Sequence, residues 1–121
     1  MEFLALVYGD PDAWEQLSED ERSTAYEGYM AVSRDAQAAG ALVDASELES
    51  TAAATSVRVR NGDALVTDGP YAEVKESLGG YYLFSCDTLE EAIGWAAKIP
   101  ATWNGGAVEI RPVHVDAEVA A

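Results

Sequence analysis

Apolar positions in this chain come in short runs, and the runs differ in period. The first, Phe3-Leu4-Ala5-Leu6-Val7-Tyr8, is apolar at both parities. A surface strand alternates, so this pattern predicts a strand covered on both sides. Gly9-Asp10-Pro11 ends it with turn chemistry. Ser18-Glu19-Asp20-Glu21 then reads as a capping box, Ser18 as N-cap and Glu21 at N3, with acidic residues suited to the positive end of a helix. Ala25, Tyr29, Val32 and Ala36 recur at helical spacing, which predicts a helix from about Glu19 to Ala39 with Gly40 as its stop. A second strand is expected from Ala41 to about Leu48, followed by a small, polar, alanine-rich loop from Glu49 to Thr55. Val57-Arg58-Val59-Arg60 alternates and meets Asn61-Gly62, a strong hairpin signal, with Ala64 to Thr67 returning. After Gly79-Gly80, the run from Tyr81 to Cys86 is again largely apolar at both parities and reads as a central strand. Asp87 or Thr88 caps a second helix whose stripe is Leu89, Ala92, Ile93, Ala96 and Ala97, ending before Pro100. Asn104-Gly105-Gly106 turns into a last strand from Ala107 to about Val115, and the tail after about residue 116 is expected to fray.

Without the hairpin the order is β-α-β-β-α-β, a ferredoxin-like α+β arrangement in one domain spanning residues 1–121. Helices cover one face of such a sheet, yet two strands are apolar on both faces. A second copy of the chain is the economical cover, so a homodimer with an enclosed core is expected.

Composition narrows the function classes. The 121 residues suit one core, and 49% apolar with 24% charged residues is globular composition. No apolar run reaches the ~20 residues a spanning helix needs, and no basic, apolar leader opens the chain, so a soluble cytoplasmic protein is expected. A net charge of −15 with seven scattered basic residues argues against nucleic acid and anionic membranes as partners. One cysteine, Cys86, and one histidine, His114, exclude an internal disulfide and a cysteine- or histidine-rich metal site; Cys86 reads as a small buried hydrophobe. No phosphate loop, nucleophile elbow or metal motif is present, and no metal or cofactor is expected.

Several polar groups stand beside apolar runs. Asp68-Gly69-Pro70-Tyr71 reads first as a stiff turn, since turn chemistry accounts for three of its four residues, with a direct role as the alternative. Beyond it Tyr71, Glu73 and Lys75 alternate, placing a phenol, a carboxylate and an ammonium on one side of an extended segment. Glu109 and Arg111 share one face of the last strand, and Arg111 can grip a carboxylate or simply pair with Glu109. Tyr26 and Tyr29 lie on the inner side of the first helix, where aromatic residues usually pack. Trp14, Trp95 and Trp103 read as packing or interface residues.

The run Thr67-Asp68-Gly69-Pro70-Tyr71-Ala72-Glu73-Val74-Lys75-Glu76-Ser77-Leu78-Gly79-Gly80-Tyr81-Tyr82 resembles the signature of the DGPF branch of the YCII-related proteins, with Tyr71 in place of phenylalanine. Leu6 to Asp10, Ala38 to Leu42, Val57 to Arg60, Trp95 to Pro100 and Val108 to Val113 extend the likeness over nearly the whole chain. The resemblance implies a ferredoxin-like dimeric α/β barrel with a pocket on each subunit near the sheet and first helix. Many DGPF proteins look like companions of extracytoplasmic-function sigma factors, and the wider group includes a dehydrochlorinase-type enzyme and has a proposed His–Asp catalytic pair. The helical histidine of that pair has no counterpart here: its position falls on Tyr29, or on Tyr26.

Three readings follow: a small-molecule-binding module, serving as an accessory or sensory companion of a sigma-factor system; a cofactor-independent lyase, isomerase or dehalogenase; or a scaffold acting only through its dimer. The missing histidine ranks the binding module first. Its ligand, a small anionic or aromatic organic molecule, is expected between Tyr26 and Tyr29, the segment Asp68 to Lys75, and Arg111. In that arrangement Arg111 and Lys75 hold an anionic group, Tyr71 or Tyr29 donates a hydrogen bond, and Glu73 orients Lys75 or acts as a base. Tyr29, Glu73 and Asp68 are the catalytic candidates under the enzymatic reading.

Overall fold

Ser18 starts the long helix as its sequence requires. Its hydroxyl accepts from the Glu21 backbone N–H at 3.1 Å while the Glu21 carboxylate accepts from the Ser18 N–H at 3.1 Å. This capping box satisfies two of the backbone donors that a helix start leaves unpaired. The computed structural model describes residues 1–72 and 75–115, and its elements are β1 (Glu2–Gly9), α1 (Pro11–Glu15), α2 (Glu19–Ala38), β2 (Leu42–Glu47), β3 (Thr55–Arg60), β4 (Asp63–Asp68), β5 (Ser77–Ser85), α3 (Leu89–Ala96) and β6 (Ala107–Pro112). Short 3-10 turns lie at Thr51–Ala53 and Pro100–Thr102. The expected frayed tail after residue 116 lies outside the described residues.

The four long-range strands form one antiparallel sheet in the order β2-β5-β1-β6, and β3-β4 stand apart as a separate two-stranded sheet. The fold is therefore α+β with a ferredoxin-like core and an inserted hairpin. Asn61 and Gly62 both take positive φ, 54° and 82°, as the two centre residues of a type I′ turn must. Gly40, at φ 72°, ends α2 in the left-handed conformation that a side chain resists.

One face of the sheet carries the core. Phe3, Ala5 and Val7 of β1 and Tyr82 and Phe84 of β5 are buried against Val32 and Ala36 of α2, Ala92 and Ala96 of α3, and Ile99. Phe84 has no exposed surface and stacks between Tyr82 and Trp95, at centroid distances of 5.5 and 6.2 Å. Cys86 joins this cluster; burial, with Glu91 adding, pushes its thiol pKa up and away from reactivity.

The other face is not covered by helices. Leu4 and Leu6 of β1 lie opposite Leu83 and Tyr81 of β5 in register, and all four are half-buried. The double-sided apolarity of both strands is thus real, but among the described residues only one side finds a covering layer of helices.

Three boundaries differ from expectation, one of them the end of β6, at Pro112 rather than about Val115. β5 begins at Ser77, so Gly79 and Gly80 lie inside the strand rather than before it. A side chain at Gly80 would collide with the backbone of β2, 2.7 Å from the Ser46 carbonyl oxygen, which is why this position is glycine. The sequence around Asp10-Pro11, read as a turn, starts the short helix α1.

Candidate functional site

The far end of β1 opens into a cleft, and the local sequence explains how. Strand β1 stops at Gly9, and Asp10 takes an extended backbone as N-cap of α1. Its Oδ1 accepts from the Asp12 N–H at 3.0 Å, and Pro11 occupies the first helical turn, where no N–H is missed. Arg22, reaching across from α2, donates to the carbonyls of Trp14 and Glu15 and so closes the other end of α1. The helix is thereby fixed as a short wall. Opposite it stand Tyr29 of α2, Ala101 of the 3-10 turn, and the Asn104–Gly106 turn before β6. The cleft between them holds ≈ 370 Å³ of empty space, part of it open to solvent. Ala13, Trp14, Leu17 and Ala101 supply apolar walls, while Asp10, Tyr29 and Asn104 supply polar atoms.

The polar groups differ in character. The Asp10 side chain is only 17% exposed, and its Oδ2 stands 3.8 Å from the Lys75 ammonium, which is 85% exposed. Burial raises the Tyr29 hydroxyl pKa above its ordinary 10.0, neighbouring Tyr82 and Glu47 add to this, and the Ala101 backbone partly opposes it. The phenol therefore stays protonated at neutral pH, able to donate and accept but not to serve as a phenolate base.

The sequence-predicted residues divide into those that meet here and those that do not. Tyr29 lines the cleft. Tyr26 is half-exposed and meets Trp14 edge-on, centroids 5.4 Å apart, behind the cleft wall. Lys75 arrives through Asp10. Asp68, Gly69 and Tyr71 instead organise the base of the hairpin. Gly69 adopts φ 111°, its N–H donates to the Ala54 carbonyl at 2.7 Å, and its carbonyl accepts from the Ser56 hydroxyl at 2.7 Å. Tyr71 is 78% exposed, with the Arg58 guanidinium 4.9 Å over its ring. Glu73 lies outside the described residues.

Arg111 sits elsewhere. It is opposite Leu4 in register, and Glu109 is opposite Leu6, so both charged groups belong to the sheet face away from Tyr29 and the helices. There Arg111 pairs with Glu109. Lys75 stands beside Asp10 at the other end of β1, so the described structure does not bring Arg111 and Lys75 together within one chain. His114 is exposed just past β6. Among the described residues, no group of three or more histidine, cysteine or carboxylate side chains could hold a metal ion, and no helix is long and apolar enough to cross a membrane.

Reading the sequence missed Asp10 and Trp14 as site residues. Turn and packing explanations absorbed both, and only the signal of an acidic residue at a strand end, directly before a helix, marks Asp10.

Residues 1–115 match the YCII-related domain. The chain belongs to the YCII-related family. A similar protein, uncharacterised, occurs in Rhizobium meliloti (strain 1021), 35% identical over 114 residues that cover 93% of this chain and 92% of that one. Among solved structures the YCII-related chain is similar to the 5-chloro-2-hydroxyhydroquinone dehydrochlorinase of Burkholderia phenoliruptrix AC1100, determined in complex with 2,5-dihydroxybenzoquinone. The likeness has a TM-score of 0.56 and spans 98% of each chain, at 13% sequence identity. At that identity it speaks for the shared fold alone.

Proposed function

We propose that this YCII-related chain, of the DGPF type by its Asp68-Gly69-Pro70-Tyr71 segment, is a cytoplasmic small-molecule-binding protein that works as a homodimeric α/β barrel. One observation carries the binding reading: Asp10, Tyr29 and Asn104 converge on a cleft whose other walls are Ala13, Trp14, Leu17 and Ala101. A few placed polar groups in an apolar concavity are what ligand sites ordinarily show. The dimer reading rests on the half-buried Leu4, Leu6, Tyr81 and Leu83 on the uncovered sheet face. Service as a sensory companion of a sigma-factor system fits a chain that binds a metabolite and carries no nucleic-acid-binding charge.

The test is a metabolite-library thermal-shift screen followed by amide chemical-shift mapping. Binding to the native state at a hundred times the dissociation constant stabilises by about 2.7 kcal/mol, which is plain in a domain of this size. Hits whose shifts gather on Trp14, Tyr29, Ala101 and Gly106 support the reading. Hits that map away from these residues, or a screen without hits, count against it.

One observation favours a second reading, a cofactor-independent lyase, isomerase or dehalogenase. A protonated phenol, Tyr29, and a carboxylate, Asp10, line one cleft, which supplies a proton donor and a proton acceptor without a histidine. Dehydrochlorination by a protein of this fold makes the reading concrete, by analogy of fold only. Turnover lost in both Tyr29→Phe and Asp10→Asn, with ligand binding kept, would favour it over simple binding.

A further inference from the structure

The charge of the cleft's occupant follows from what Asp10 is and is not paired with, and the inference rests on the binding reading above. Among the described lining residues Asp10 alone carries a charge. One oxygen of its carboxylate is committed to the α1 cap. The other faces an ammonium, Lys75 Nζ, across 3.8 Å, which is too long for a hydrogen bond. That lysine is itself 85% exposed, and an ion pair at such a site holds weakly and yields easily to a competitor.

Two other cations that could balance an anionic ligand already have partners. Arg22 donates to the Trp14 and Glu15 carbonyls, and Arg111 pairs with Glu109 on the far face of the sheet. The rest of the lining suits a cation: it includes the aromatic residues Trp14 and Tyr29, and a positive head over an aromatic ring is attracted to its face. A net charge of −15 raises the local concentration of cations and repels anions.

We propose that the cleft receives a small organic ammonium ion on an apolar or aromatic body, its head replacing Lys75 at Asp10 Oδ2 and its body lying against Trp14. Lys75 acts as the resident placeholder for that head, keeping a mostly buried carboxylate paired when the cleft is empty.

The matched probes are tyramine, its neutral alcohol analogue tyrosol, and anionic para-hydroxyphenylacetate, titrated into the full chain and followed by amide shifts and calorimetry. Tyramine should move the Trp14, Tyr29, Ala101 and Gly106 amides and bind about tenfold more tightly than tyrosol, with the carboxylate weakest, because one charge contact at a partly screened site is worth about that much. Asp10→Asn keeps an N-cap residue, so the fold stays, and it should erase the preference for tyramine over tyrosol. Lys75→Ala should strengthen tyramine binding a fewfold by removing the competitor. Equal binding of tyramine and tyrosol, tighter binding of the carboxylate, or weaker tyramine binding in Lys75→Ala overturns the ammonium assignment while leaving the cleft as the site. If none of the three probes moves the cleft amides, while a hit from the metabolite screen does, the assignment again fails alone. If screen and probes both miss the cleft, the site reading falls with it.

Discussion

The Tyr82 hydroxyl donates to the main-chain carbonyl of Tyr29 at 3.4 Å, tying the central strand β5 to the middle of α2. The bond is long for an O–H donor, and Tyr29 lies within α2, where its carbonyl already serves the helix ladder. Tyr82→Phe keeps the ring stacked on Phe84 and orphans no buried group, so it should cost about 1 kcal/mol or less in urea unfolding. Phe84→Ala removes the fully buried ring between Tyr82 and Trp95 and should cost about 3–5 kcal/mol. Comparable costs for the two variants would mean that the hydroxyl, and not the stack, holds β5 to the helix.

The same two tyrosines predict an alkaline limit to stability. Burial raises both hydroxyl pKa values above 10.0, with Tyr29 further raised by its neighbour and Tyr82 partly restrained by a hydrogen bond from Ser33. The folded state holds these protons where the unfolded chain releases them. The associated stability is complete below pH ≈ 10 and is lost as pH rises through the folded values. Melting temperature should fall across that window, and Tyr29→Phe or Tyr82→Phe should each flatten the fall. A slope unchanged in both variants would assign the alkaline loss to other groups.

Gly106 closes the floor of the cleft. A Cβ there would strike the Tyr8 carbonyl oxygen and lie 3.0 Å from that of Ala101, and neither backbone oxygen can step aside as a flexible side-chain tip could. Gly106→Ala should therefore destabilise by about 1–3 kcal/mol and also abolish ligand-induced amide shifts, because the start of β6 must move away from the Ala101 turn. Gly94→Ala is the control: nothing lies within 4 Å, and alanine in a helix should stabilise by up to about 1 kcal/mol.

Much of this architecture was legible because its signals are local. Ser18 and Glu21 sit three residues apart and make the capping box that marks α2, and Asn61-Gly62 makes its own turn. What could not be read depends on register between distant segments. Parity showed that Glu109 and Arg111 share a face, but which face follows only from their pairing with Leu6 and Leu4, about a hundred residues earlier. Gly79-Gly80 looked like punctuation because the close approach of Ser46 is invisible along the chain. The cleft is hidden for the same reason: its walls come from residues 9–17, Tyr29 and residues 101–106. Asp10 has a sufficient local role as a turn and cap residue, so nothing along the chain marks its second oxygen.

The uncovered sheet face gives the last prediction. Leu4, Leu6, Tyr81 and Leu83 form an apolar strip, and two internally paired sets of polar groups stand beside it: Arg111 with Glu109, and the Tyr81 hydroxyl with Asp44 Oδ2 at 2.7 Å. Internal pairing of this kind lowers the cost of burial, since each polar group enters an interface with its partner in place. Light scattering should therefore give about twice the 12.9 kDa chain mass at micromolar concentration. Leu6→Glu places a carboxylate in the middle of the strip, on the face opposite the core residues Phe3, Ala5 and Val7, so it should split the dimer while leaving the core intact. The variant should run as a folded monomer whose circular dichroism matches the parent. A wild-type chain that is already monomeric sinks the idea directly. A Leu6→Glu variant that stays dimeric moves the interface elsewhere, and the first surface to test is then the exposed Val57, Val59 and Val66 on the hairpin.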